Sequence, residues 1–532
     1  MKKICIQLFS KENMDNLTDS LGKYFSPKLL MVISFLITIT STVLSMIFLV
    51  GIYRDVGNAY APSVRMFADG NFFEALNPAL PWMNILIAGS ISYLSKLNPL
   101  DSLILTCGLF YMALIPVTYK FLKRFLSPNL AAWGVLLTVC SPKLLRFSIS
   151  GIPEPSRNFF LVLLLCLVFS FFDKQKIYKA VFIAFAMFGF TLSRSEGFPI
   201  SLFIIMTIFC FLLWINRQQN WKSKWWESLR YSLLIAFFFL IFLAPCIYQN
   251  YLITGYPTPD ARLNRHIHKH ISPNKPLRDL SDNSKTYTDV KTTIKKRNFN
   301  ANKQFQQLVN QSLRGAYELY FLLALIGIFS LFLISRIRIH LMRDWTPPQV
   351  IEGHKKEWLF IFLVYLFHCG VYFLVPIAYR YFIFLIPLSM PLTMSGVYFL
   401  WRLLVTWRCL LPAMLAATVI LVLQLLNGYN ILIEQNPDYK RSGEWIRDYF
   451  NKGKGLKVYN CHSYVIYWID GTTVNPFYEG PRTKPECADF DIAIVEPDNE
   501  KYMSVFRSRQ DLVELPTPYP QSVTVFRKRV HE

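Results

Sequence analysis

Apolar runs of about 20 residues, separated by short basic or polar clusters, recur along this chain from Leu29 to Leu426. Inside hydrocarbon every backbone amide must be satisfied within its own segment, so runs of this kind predict membrane-crossing helices. The pattern predicts about eleven spans, at 29–50, 102–119, 130–142, 157–172, 180–193, 197–215, 231–249, 316–335, 359–377, 381–400 and 410–427. Pro81 to Lys96 is apolar too, but counting it as a span would put the basic clusters around Lys3 and Lys120 on opposite faces. It is expected to lie in the interface. The first run is too long for a signal-peptide core and lacks a small-residue cleavage site, so it is expected to stay as the first helix.

The pattern changes after Asn427. Tyr439 to Phe450 has helical spacing of Trp445, Ile446 and Tyr449, whereas Leu456–Tyr459, Phe490–Val495 and Ser522–Phe526 read as short strands divided by Gly and Pro turns. The expected organisation is an N-terminal segment at 1–28, a membrane domain at 29–427 and a small α/β domain at 428–532.

Composition agrees with a bilayer as the main solvent. Of 532 residues, 53% are hydrophobic and 16% aromatic, too many for one soluble core. The net charge of +22 does not point to nucleic acid, because the Lys and Arg residues sit in short clusters between apolar runs rather than on one stripe. With eleven spans all these clusters fall on one face: Lys2 to Lys28, Lys120 to Arg124, Lys174 to Lys179, Arg217 to Arg230, Arg336 to Lys356 and Arg402 to Arg408. That face is the cytoplasm. The outer face then holds 52–101, 141–156, 193–197, the long loop 250–314, 376–380 and the C-terminal domain. No solenoid repeat or low-complexity tract interrupts this plan.

An ionised aspartate, Asp55, lies within a turn of the first span's outer end, where a charge is costly without a use. It can act as a base, or cap a helix beginning near Val56. Glu154, bracketed by Pro153 and Pro155, is expected in extended backbone and able to point towards Asp55, or to sit favourably at the N-terminal end of the fourth span. Three alternating histidines, His266, His268 and His270, suggest zinc less than a basic lid over an anionic ligand, with Arg262 and Arg265 in the same loop. Most cysteines lie in apolar spans as small hydrophobes, while Cys461 and Cys487 fall in the outer domain, where an oxidising compartment would let them pair.

Several features in order carry a resemblance. They are Asp55 after the first span, a helix closed by Gly70, the corner Asn77-Pro-Ala-Leu80, Glu154 in the next outer loop, Leu192-Ser-Arg-Ser-Glu-Gly197, and Tyr379-Arg-Tyr381 before a Pro-containing apolar run. Together they resemble the GT-C superfamily of integral-membrane glycosyltransferases, in particular its bacterial protein mannosyltransferase-like and aminoarabinose transferase-like branch. The likeness spans roughly residues 29–400, and the tail from Lys440 looks like the outer domain many such proteins carry.

The resemblance implies transfer of a sugar from a polyprenyl-phosphate carrier to a lipid, glycan or protein acceptor, usually with inversion. It implies an integral protein of the bacterial inner membrane whose site and C-terminal domain face outward. Asp55 matches the first-loop acid and Glu154 the second-loop acid. A departing phosphate needs fixed cations, and the candidates are Arg380, then Arg194, with Lys143, Arg146, Arg262 and Arg265 behind them. Arg157, Glu196 and Glu74 are possible supporting residues. No cofactor is implied; a divalent metal between Asp55 and Glu154 is possible, though two carboxylates are a thin ligand set. Val56 stands where a second acid often follows the first, and Ala79 alters the usual corner. A non-catalytic scaffold with this fold, and less favoured a transporter or flippase, are therefore alternative readings.

Overall fold

The computed structural model describes residues 26–48, 55–76, 80–194, 196–215, 220–254, 257–259, 301–336, 354–373, 379–406, 410–433, 437–450, 456–460, 465–469, 472–473, 490–521 and 523–529. Arg262, Arg265, the three histidines of the same loop, Asn77 to Ala79, Cys461 and Cys487 lie outside the described residues.

The membrane domain starts with α1, Pro27–Phe48, whose buried Ser34, Thr38 and Thr42 each donate a hydroxyl to the carbonyl four residues back, as a polar side chain in an apolar bundle must. Asp55 then leads into a π-helical turn, Val56–Tyr60, followed by α2, Ala61–Ala68, and α3, Phe72–Ala75. The apolar segment expected at the interface is α4, Trp82–Ser95, closed by Lys96 in the left-handed conformation. Asn98 caps α5, Pro99–Leu122, by accepting from the Leu100 amide at 3.0 Å, with Pro99 in the first turn where its missing N–H costs nothing.

Among the described residues each of the eleven apolar runs contains helix, with several departures from the expected boundaries. The third is a bent pair, α6 at Pro128–Val139 and α7 at Pro142–Ser148, meeting at 60°. Pro142 cannot donate to the helix behind it, so the chain turns there. Next come α8, Glu154–Asp173, α9, Ile177–Ser193, α10, Gly197–Ile215, and α11, Trp221–Thr254. The end of the long loop forms α12, Ala301–Ala316, which meets α13, Glu318–Arg336, at 91° through Tyr317 in the left-handed region. The bundle ends with α14, Lys355–Phe373, a 3-10 turn at Tyr379–Phe382, α15, Leu385–Thr406, and α16, Leu410–Ile433. Among the described residues five of these helices are long and apolar enough to cross a membrane, or up to seven if each bent pair is one span.

The tail begins with α17, Pro437–Tyr449, and builds a five-stranded sheet in the order β2-β1-β3-β5-β4. The expected strands appear as β1, Lys457–Asn460, β3, Ile492–Val495, and β5, Thr524–Lys528. Two were not expected: β2, Thr472–Thr473, beside β1, and the edge strand β4, Leu512–Leu515. The sheet's faces follow the two-residue period of a strand. Val458, Ile492, Ile494 and Val525 pack with Ile446 of α17 and with Val465 and Ile469 on or beside α18, Ile466–Ile469. Tyr459, Ala493, Val495 and Phe526 pack with Phe506 of α19, Glu500–Ser508.

Candidate active site

Asp55 is not the cap that its position allows. Its side chain makes no capping hydrogen bond, and its carboxylate instead meets the Arg380 guanidinium at 2.7 Å. Arg380 reaches Asp55 because Tyr379–Phe382 forms a tight 3-10 turn rather than the start of a span. That turn is held by Arg157, wholly buried on α8, whose two terminal nitrogens donate to the carbonyls of Tyr381 at 3.0 Å and Arg380 at 3.1 Å.

Glu154 opens α8 between its two prolines, fully buried, so the extended backbone expected there is replaced by a helix start. Arg194 donates to its Oε1 at 3.4 Å, and Arg380 Nε lies 3.9 Å from the same oxygen. Its other oxygen, Oε2, has no partner among the described residues. Arg194 also meets Glu196 at 3.2 Å, and Glu196 takes Arg157 at 3.4 Å and the Tyr372 hydroxyl at 2.7 Å. Tyr381 stacks on Tyr372 with centroids 5.4 Å apart, and Arg194 lies 4.6 Å over the Tyr381 ring.

The result is one chain of alternating charges: Asp55, Arg380, Glu154, Arg194, Glu196, Arg157. Three carboxylates face three guanidiniums, which lets such a network persist in a low-dielectric interior. Only one end is open to water. Asp55 and Arg380 are 14% and 25% exposed, whereas Glu154 and Arg157 are fully covered. Burial pushes the Arg380 pKa down, but the carboxylates of Glu154 and Asp55 more than offset it, leaving it raised. Burial pushes Glu196 up, yet Arg194, Arg157 and Tyr372 pull it to about 2.

The remaining predicted residues are distributed unevenly. Lys143, on α7, donates to the Arg314 carbonyl, pairs with Glu318 at 3.1 Å, and lies 5.8 Å over the Tyr379 ring, next to Arg380 in sequence. Arg314 stands 5.5 Å over the same ring. Arg146 is half-buried on the same short helix as Lys143. Glu74 is exposed on α3 and takes no part in the charge chain. Among the described residues no group of three or more His, Cys, Asp or Glu could hold a metal ion; Asp55 and Glu154 share Arg380 where a metal would have to stand.

Two participants had no sequence signal. Tyr372 sits inside an apolar helix like many other aromatics, and only the packing of α14 against the 3-10 turn gives its hydroxyl a carboxylate. Asn84, buried on α4, accepts from the Ser156 hydroxyl at 2.6 Å and donates to Cys107 Sγ at 3.3 Å, which in turn donates to the Ile152 carbonyl. These bonds hold the turn that carries Glu154. Gly151 in that turn has φ +76°, a conformation L residues rarely adopt, and faces Val56 of the π-helical turn.

No family model matches the sequence, and no curated protein matches it. Solved structures do match. The structure of ArnT from Cupriavidus metallidurans bound to undecaprenyl phosphate superposes with a TM-score of 0.56 at 13% identity, covering 94% of this chain and 97% of that one. The oligosaccharyltransferase of Archaeoglobus fulgidus in the apo form gives 0.51 at 12% identity, covering 91% of this chain and 71% of that one. The same enzyme tethered to an acceptor peptide containing the NVT sequon also gives 0.51, at 13% identity. The chain therefore shares the polytopic helical membrane fold of these structures.

Proposed function

We propose that this protein is a membrane glycosyltransferase that moves a sugar from a polyprenyl-phosphate donor to a lipid, glycan or protein acceptor, with inversion. The observation that carries this reading is the Asp55–Arg380 pair, a carboxylate and a guanidinium in contact at the water-accessible end of an otherwise buried charge chain. The two similar folds support it, one by its bound undecaprenyl phosphate and the other by its acceptor peptide.

The chemistry needs one base and one anion clamp. Asp55 takes the proton of an acceptor hydroxyl or amine while the acceptor atom bonds to the anomeric carbon. The bond from that carbon to the phosphate oxygen breaks, and the phosphate leaves with its electron pair onto Arg380. Glu154, held by Arg194 and the Asn84 bonds, keeps Arg380 charged and aimed between the two carboxylates. Arg194 thus serves Glu154 and Glu196 rather than the donor. Lys143 and Arg314, which flank Tyr379, attract the anionic headgroup, with Arg146 on the same short helix as Lys143. The membrane domain crosses eleven times, the N-terminus stays in the cytoplasm, and Asp55 and the C-terminal domain face outward.

Mass spectrometry of lipid copurifying with the protein tests the donor class. A polyprenyl phosphate or its glycosylated form is expected from wild type and lost in Arg380→Ala. Only bulk phospholipid in both would overturn the reading. The second reading, a scaffold without turnover, rests on Val56 standing where a second acid often follows. It predicts lipid binding with no effect of Asp55→Asn on any sugar transfer.

A further inference from the structure

The π-helical turn behind Asp55 lies against an element of the tail domain. A π-turn closes its hydrogen bond over one residue more than an α-helical turn, and such turns, rare overall, are frequent at functional sites. Here it is closed by the Ala61 amide donating to the Val56 carbonyl, five residues back. Relaxing it to an α-helix would shift the hydrogen-bond register by one residue and rotate the preceding backbone by about 100°, swinging the Asp55 carboxylate away from Arg380.

Two elements brace this turn. The Gly151 turn bears on Val56 from within the membrane domain. On the tail side lies the short helix α18, directly against the turn. Val465 and Ile469, four residues apart, enter the tail's own core, while Trp468 packs against the membrane-domain core that includes Val56, Ala59 and Tyr60. One helical turn of chain therefore belongs to two cores at once. Lys440 of α17 sits 4.8 Å over the Trp468 ring, and its charge reaches Asp101 at the start of α5. Gly443 leaves the space that the Trp468 stem fills, where any Cβ would collide.

We propose that Trp468 is a positioning residue for Asp55. By wedging α18 against the π-turn, the tail domain keeps that turn wound in the register that points the carboxylate at Arg380. The tail is then part of the catalytic apparatus, and movement of the tail away from the membrane domain unseats the base. The catalytic consequence rests on the glycosyl-transfer reading; the structural one does not.

Hydrogen exchange of full-length protein in nanodiscs separates the two. In Trp468→Ala, amides of residues 56–61 should exchange at least about tenfold faster than in wild type, with Trp468→Phe in between, while β3 and β5 keep their protection. Where turnover is measurable, Trp468→Ala should lower kcat at least about tenfold with donor KM changed less than about threefold, and Trp468→Phe should restore most of it. Wild-type protection at 56–61 in Trp468→Ala overturns the proposal, whether or not the tail stays folded. Faster exchange at 56–61 without any detectable sugar transfer in wild type keeps the brace and removes only the glycosyl-transfer reading.

Discussion

Replacing Asp55 by asparagine should move turnover and lipid-phosphate affinity in opposite directions. Arg380 is already engaged, its Nη1 2.7 Å from Asp55 Oδ2, so an incoming phosphate has to compete with a carboxylate for the same guanidinium. With charge centres about 4 Å apart and an effective dielectric constant near 20, the gross attraction is about 4 kcal/mol. Both groups are partly wet, and Glu154 stays beside Arg380 in either case, so about a third of that is expected to appear as binding. That is about 1.4 kcal/mol, or a roughly tenfold tighter Kd for undecaprenyl phosphate in Asp55→Asn. The neutral amide put in place of the Asp55 carboxylate cannot take the acceptor's proton, so sugar transfer should fall at least about a hundredfold. Titration of undecaprenyl phosphate by native mass spectrometry reads the first effect, and transfer from a polyprenyl-phosphate sugar the second. Unchanged or weaker lipid binding in Asp55→Asn would refute the competition, and wild-type turnover would refute the base.

Arg157→Met should destabilise the membrane domain by about 3–5 kcal/mol, because it leaves three carboxylates of the charge chain facing two guanidiniums and removes the hydrogen bonds to two carbonyls of the 3-10 turn; Arg157→Lys should recover only part, and thermal unfolding of the three proteins in one detergent checks the order. The depressed Glu196 pKa predicts a pH effect of fixed sign. Stability from this carboxylate is complete above its ordinary value of 4.5 and is lost as pH falls through about 2. Thermal midpoints should therefore begin to fall below pH 4.5, and Glu196→Gln should flatten that decline. A decline equally steep in Glu196→Gln would assign it to other groups.

The periodicity of apolar residues determined by itself that this is a helical membrane protein with a separate α/β tail, because burial in hydrocarbon and alternation across a sheet each write a period that needs no partner to be read. It also marked Asp55 and Glu154 through their place at helix ends, where a charge is conspicuous, whereas Arg380 rose above an ordinary interfacial arginine only through the resemblance. Which charges meet was decided only by the tertiary structure. Arg194 and Arg380 look alike in sequence, each at an outer helix end, yet one is buried between Glu154 and Glu196 and the other keeps a wet face towards Asp55. The edge strand at Leu512–Leu515 and the place of α18 between two cores were hidden for the same reason. Each depends on neighbours distant in sequence, and a local pattern records what a residue prefers, whereas the fold settles what it finds beside it.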